Sequence, residues 1–181
     1  MRSVGLTVLF LVIITGAWTL TDRALAGSKS NDARVAILDD CEPSDPAWTP
    51  SGGCSLKPQE GDVTNAEFGA LLFSPLGPGG VLIGHPSWRN EPSYISTFFG
   101  RKIQVENLGG RTHTFTRVAN FGGGRVPPLN GALAPAPECL AGALNLPPGA
   151  GVDLQGLGEG LHKFQCCIHP WMRAAIRVTP K

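Results

Sequence analysis

The stretch whose reading decides the fold lies near the C-terminus: Phe164-Gln165-Cys166-Cys167-Ile168-His169-Pro170-Trp171-Met172. Residues 161–168 alternate with period two, the signature of a strand. The alternation puts His162, Phe164, Cys166 and Ile168 on one face and Lys163, Gln165 and Cys167 on the other. Phe164 is a core residue in this reading, so Cys166 points inward and Cys167 points away. Residues 173–179 alternate again, with Ala174, Ile176 and Val178 facing in. The segment is therefore a terminal β-hairpin whose loop presents Cys166, His169 and Met172 in the spacing Cys-x-x-His-x-x-Met.

A thiolate and a thioether are soft donors, and an imidazole is borderline. Such a set suits copper in either oxidation state, whereas calcium and magnesium want oxygen. Two His and one Cys in a plane, with a distant axial Met, form the blue-copper arrangement. The loop supplies three of those four ligands, so a second His must come from elsewhere. The candidate is His113, in Asn107-Leu108-Gly109-Gly110-Arg111-Thr112-His113-Thr114-Phe115-Thr116. It follows a Gly-Gly turn and heads an alternating run, 113–118, that places His113 and Phe115 on one face. His162 shares the face of Cys166 but stands four residues back. At ~3.3 Å per residue that is roughly 13 Å, too far to share one ion, so His162 reads as structural. His85, in the turn Gly84-His85-Pro86, reads as a surface residue.

With these residues in place, the region from about 90 to 181 resembles the cupredoxins, the plastocyanin and amicyanin group of small copper electron carriers. The two-residue gap before Met172 is similar to that of amicyanin. The resemblance implies one type 1 copper held by His113, Cys166, His169 and Met172, and electron transport without catalysis on a substrate. It also implies an antiparallel Greek-key β-sandwich. In that family the loop His is the ligand nearest the surface, ringed by apolar side chains. A redox protein partner is therefore expected to dock near His169, Pro170 and Trp171. Asn107 and the residues beside His113 are the candidates for a hydrogen bond to the cysteine sulfur.

The rest of the chain agrees with an all-β class. Strand-like runs at 93–99, 102–107, 113–118, 150–155, 161–168 and 173–179 are separated by turn signals. Two further short strands are expected around Ala70-Leu71-Leu72-Phe73 and Val81-Leu82-Ile83. Seven or eight short strands at this spacing indicate an antiparallel sandwich. Gly and Pro make up 40 of 181 residues, which suits a loop-rich β protein and falls short of low complexity. Residues 119–149 are a long Gly/Pro-rich connection without clear period, of the kind that is packed as an excursion or carries function.

Residues 1–26 read as a secretory signal: Arg2, an apolar stretch over 4–20, and Ala24-Leu25-Ala26 as the cleavage site. A retained N-terminal anchor is the alternative, and only then is a membrane a partner. Residues 27–60 read as a loop-rich N-terminal extension and 61–181 as the sandwich domain. Removing 1–26 takes away Arg2, Arg23 and Asp22 and leaves 13 basic and 13 acidic residues. That balance argues against nucleic acid and against a polybasic membrane surface. The expected location is periplasmic or secreted, where disulfides are permitted. If Cys166 holds metal, Cys41, Cys54, Cys139 and Cys167 allow three pairings. The short loop favours Cys41 with Cys54, which leaves Cys139 with Cys167.

Three other readings compete. A zinc site using Cys166, Cys167, His169 and His113 is disfavoured because adjacent cysteines on a strand point to opposite sides. A multicopper enzyme needs more than four His, and this chain has four. A periplasmic copper-binding or delivery protein fits the extra Cys, but Met1 and Met172 are the only methionines.

Overall fold

Strand β1 (Ala33–Leu38) places Val35 and Ile37 in the core, at 1% and 0% exposure. The computed structural model describes residues 33–51, 54, 63–72 and 87–181. Residues 1–26, read as a signal, His85 and the patch Val81-Leu82-Ile83 lie outside the described residues. Among the described residues no helix is long and apolar enough to cross a membrane.

The other strands are β2 (Arg89–Glu91), β3 (Tyr94–Phe98), β4 (Ile103–Asn107), β5 (Thr116–Val118), β6 (Gly151–Leu154), β7 (Gly160–Gln165) and β8 (Arg173–Thr179). They form two four-stranded sheets, in the orders β2-β1-β4-β6 and β3-β8-β7-β5. Alternating apolar residues from both sheets meet between them. Ile103 and Val105 come from β4, Ile95 from β3, Phe164 from β7, and Ala174, Ile176 and Val178 from β8. Phe115 stacks on Phe164, with centroids 4.7 Å apart.

Three expectations change. First, β1 lies within the stretch read as an extension, yet it sits between β2 and β4 in the sheet. Residue 61 therefore does not separate an appendage from the sandwich. The run Val35-Ala36-Ile37-Leu38 is short, and its partners are distant in sequence, so its role was not visible locally. Second, the sheets are mixed. β1 runs parallel to β4 and β3 parallel to β8; the remaining pairings are antiparallel. The parallel pairs join strands far apart in the chain, and only a long crossover permits that direction.

Third, Phe73 of the apolar run lies outside the described residues, and Ala70, Leu71 and Leu72 belong to helix α1 (Asn65–Leu72), not to a strand. Its start carries a capping box: the Thr64 N–H donates to Glu67 Oε2 at 2.9 Å, and the Glu67 N–H donates to Thr64 Oγ1 at 3.2 Å. Helix α1 sets Phe68 and Leu72 into the core.

The excursion over 119–149 covers the outer face of β7. There the Gln165 side chain accepts from the Gly122 N–H at 3.0 Å and donates to the carbonyls of Gly122 and Gly123. Gln165 is consequently fully buried although it faces away from the inter-sheet core. A short helix, α2 (Pro137–Leu140), brings Cys139 to Cys167, and the two form a disulfide with Cα atoms 5.2 Å apart. Cys41 and Cys54 form the second, with Cα atoms 6.1 Å apart. Both distances lie in the range a disulfide spans. Cys166 is left as a buried free thiol.

Candidate metal centre

The terminal hairpin closes through backbone bonds. The Cys166 N–H donates to Met172 O at 2.9 Å, and the Met172 N–H donates to His169 O at 2.9 Å. β7 ends at Gln165, so Cys166 stands at the point where the strand gives way to the loop. Both sulfur-bearing residues of the loop, Cys166 and Met172, are fully buried, and His169 is 6% exposed. His113 does not open a strand as expected. It forms a bridge with Leu146 from the excursion, each residue donating its N–H to the other's carbonyl. That pairing holds His113 facing the hairpin loop.

Three donor atoms converge. Cys166 Sγ lies 3.7 Å from His113 Nδ1 and 3.7 Å from His169 Nδ1, and the two nitrogens are 3.1 Å apart. The centre of the circle through a 3.1, 3.7, 3.7 Å triangle is ~2.0 Å from each corner, close to the ~2.0–2.3 Å that nitrogen and sulfur ligands take around a first-row metal ion. Among the described residues this is the group of His, Cys and acidic side chains arranged to hold a metal ion. The donor chemistry, two imidazoles and a thiol, fits copper.

The sulfur receives two backbone N–H groups, from Thr114 and from His169, each at 3.4 Å. Thr114 also accepts the Cys167 N–H on its Oγ1 at 2.7 Å, which fixes the strand end on both sides of the thiol. The sulfur's neighbour is thus a residue beside His113. Asn107 is engaged elsewhere. Its Nδ2 donates to the carbonyls of Arg111 and Leu146, both at 2.7 Å, and its Oδ1 accepts from the Gly109 N–H. It shapes the turn before His113.

The other ring nitrogen of His113, Nε2, lies 2.5 Å from Asp39 Oδ2. Burial pushes the His113 pKa down, but hydrogen bonds to Asp39 and Cys166, and their negative charge, raise it to about 9. Burial likewise opposes ionisation of Cys166, yet hydrogen bonds and charge from His113 and His169 bring it well below its ordinary value. His169 is lowered, first by burial. Cys166 and His113 thus each shift the other toward its charged form.

A cap of aromatic residues covers the centre. Trp88, Trp48, Phe68 and Trp171 pack ring against ring, and Trp88 lies edge-on to His169. Pro170 is buried and Trp171 partly buried. The surface expected around His169, Pro170 and Trp171 is in large part covered by α1 and Trp88. A cavity of about 370 Å³ remains beside His169, lined by Trp48, Phe68, Leu72, Trp88 and Leu129 among others. His162, read as structural, points its Nε2 at Gly158 O, 2.6 Å away.

Sequence reasoning missed Asp39 and Trp88. The one local signal for Asp39 is an acidic pair directly after an apolar strand, and carboxylates are seldom buried without a partner. Nothing local pairs it with a histidine 74 residues away.

Fold and site define a class: two packed β-sheets enclosing a His-Cys-His donor triangle at a C-terminal hairpin. Among solved structures the chain is similar to cupredoxins. A purple cupredoxin from Nitrosopumilus maritimus matches at 15% identity and a TM-score of 0.41, covering 82% of this chain and all of that one. A reduced amicyanin variant matches at 17% identity and a TM-score of 0.37, covering 58% of this chain and 87% of that one. A second amicyanin variant matches at 19% and 0.34, covering 49% and 71%. No family model matches the chain, and no curated protein does.

Proposed function

We propose that this protein is a type 1 copper electron carrier working outside the cytoplasm, periplasmic or secreted. In this reading His113, Cys166, His169 and Met172 would hold one copper on a Greek-key sandwich. The observation that carries the reading is the donor triangle, with edges of 3.1 to 3.7 Å around one centre. Bound copper would supply reversible one-electron transfer.

The protein's own residues would prepare and protect that chemistry. The N–H groups of Thr114 and His169 would draw charge off the thiolate. The bridge to Leu146 and the hairpin bonds would hold the donors still, so that little moves between oxidation states. The cap of Trp48, Phe68, Trp88 and Trp171 would exclude water. A redox protein partner would dock over the cap and Trp171, and electrons would reach the centre through His169. Burial of every donor at 6% exposure or less favours a resident metal over an exchangeable cargo, which sets the carrier above the copper-delivery reading.

The test is an anaerobic titration of metal-free protein with Cu(II), followed by visible absorption and EPR. An intense blue colour saturating at about one copper per chain, bleached reversibly by ascorbate, is the expected result. Protein that stays colourless, or that holds a readily exchanging Cu(I), would overturn the carrier.

A further inference from the structure

We infer that Asp39 is a positioning residue for the metal centre: its carboxylate selects which nitrogen of His113 faces the metal, and its charge favours the cupric state. The inference rests on the copper reading above.

Asp39 follows β1 directly and is 1% exposed. A carboxylate buried to that degree is costly unless hydrogen bonds meet it. Here they do. Its Oδ2 accepts the Arg111 N–H at 2.9 Å, its Oδ1 accepts the Gly110 N–H, and its Oδ2 meets His113 Nε2 at 2.5 Å. The turn is shaped around it. A Cβ at Gly109 would run into the Asp39 carboxylate, so only glycine lets the backbone come this close. The turn is in turn bound to β1, because the N–H groups of Leu108 and Gly109 both donate to Ile37 O, at 3.0 and 3.1 Å.

The consequence is chemical. An ionised carboxylate only accepts hydrogen bonds, so Nε2 of His113 must carry the proton. That leaves Nδ1 as the metal-facing nitrogen, 3.7 Å from Cys166 Sγ and 3.1 Å from His169 Nδ1. A negative charge hydrogen-bonded behind a ligand also makes that ligand a stronger donor. The more highly charged ion gains more from this, so Cu(II) is favoured over Cu(I) and the reduction potential is held down.

The experiment compares wild type with Asp39→Asn, which keeps the shape and removes the charge. Cu(II) affinity, the reduction potential and the EPR spectrum are read on the loaded protein. The metal-free wild type is read by ¹⁵N–¹H NMR of its imidazoles. Loss of the carboxylate is expected to weaken Cu(II) binding by roughly 10- to 100-fold. If Cu(II) loses tenfold more than Cu(I), the potential rises by ~59 mV. The metal-free wild type is expected to show a strongly deshielded, slowly exchanging Nε2 proton on His113. Should Asp39→Asn not fold, Gly109→Ala, which keeps the carboxylate but pushes it off His113, takes its place with the same readouts. A blue wild type whose potential is unmoved by the variant overturns the role of Asp39 and leaves the copper reading standing. An unprotonated Nε2 in the wild type does the same. A wild type that ignores copper overturns both.

Discussion

Trp88 stands edge-on to His169, with ring centroids 4.9 Å apart and planes at 88°. Its own Nε1 donates to Asp40 O at 2.8 Å, so the indole is fixed at both ends. Trp88 is 3% exposed and also stacks on Trp48 at 5.7 Å. Asp40 adjoins Asp39, and the same stretch after β1 therefore supports both imidazoles, one through a carboxylate and one through a tryptophan. Trp88→Ala is expected to cost about 3–5 kcal/mol of stability and to open His169 to water. Denaturant midpoints and the rate at which a chelator strips bound copper check this. A variant that releases copper no faster than wild type would show that the cap does not guard the centre.

Cys166 and Cys167 are adjacent but do different work, one facing the donor triangle and the other bonded to Cys139. Cys166→Ser is expected to abolish the blue colour. The double variant Cys139→Ser/Cys167→Ser is expected to keep it while losing about 3–4 kcal/mol, the value for a closed loop of this size. Visible spectra and thermal melts of the two variants decide the point. His162→Phe, a change at a buried residue whose Nε2 faces Gly158 O, is expected to leave the colour unchanged.

Copper uptake is expected to release protons in a pH-dependent way. In the metal-free protein at pH 7, His113, raised to about 9, holds a proton, while Cys166 is shifted toward its thiolate and His169 toward its neutral form. Binding at Nδ1 must displace that proton, so about one proton leaves per copper. The number falls toward zero as pH rises through about 9. A pH-indicator dye during titration measures it. Release of two protons at pH 7 would mean that Cys166 is protonated in the metal-free state.

The same two shifts act on stability in opposite directions. A raised His113 contributes stability that is full below its ordinary 6.5 and is lost as pH rises through about 9. A depressed Cys166 does the reverse, its contribution growing with pH up to its ordinary 9.0. Between 6.5 and 9, the His113 contribution falls with pH while the Cys166 contribution rises. The metal-free melting temperature is therefore expected to vary less with pH across that window than it would if one member of the pair were removed. Differential scanning calorimetry at several pH values, with Cys166→Ser as the comparison that removes one partner, tests it.

Among the described glycines, Gly124 is the position where a methyl group has least room, because its Cβ would meet the carbonyl of Cys167. The same carbonyl accepts the Arg125 N–H at 2.7 Å. Gly124→Ala is expected to destabilise by about 1–3 kcal/mol and to perturb the EPR spectrum, since the residue it pushes adjoins Cys166. An unshifted denaturation midpoint would show that the loop yields freely there.

The hairpin was legible because its information is local. Period-two alternation over Leu161, His162, Lys163 and Phe164 assigns faces, and the face assignment alone separates Cys166 from Cys167. The chemistry of the loop followed from the same few residues. Helix α1 was also signalled locally, by Thr64 and Glu67 three residues apart, and the alternating-strand reading of the apolar run passed over that cap. The burial of Gln165 was not legible, because it depends on Gly122 and Gly123, 43 and 42 residues away in the chain.

What the sequence by itself determined is the donor set near the C-terminus, the strand that aims it, and an all-β class. Each of these depends on neighbours within one strand or one turn, where covalent spacing dictates geometry. Only the tertiary structure decided that β1 is an inner strand, that Asp39 reaches His113, and that Trp88 and α1 lie over His169. Those contacts join segments far apart in the chain, and they form because burying both sheets leaves a single arrangement in which the acid, the turn and the hairpin loop meet.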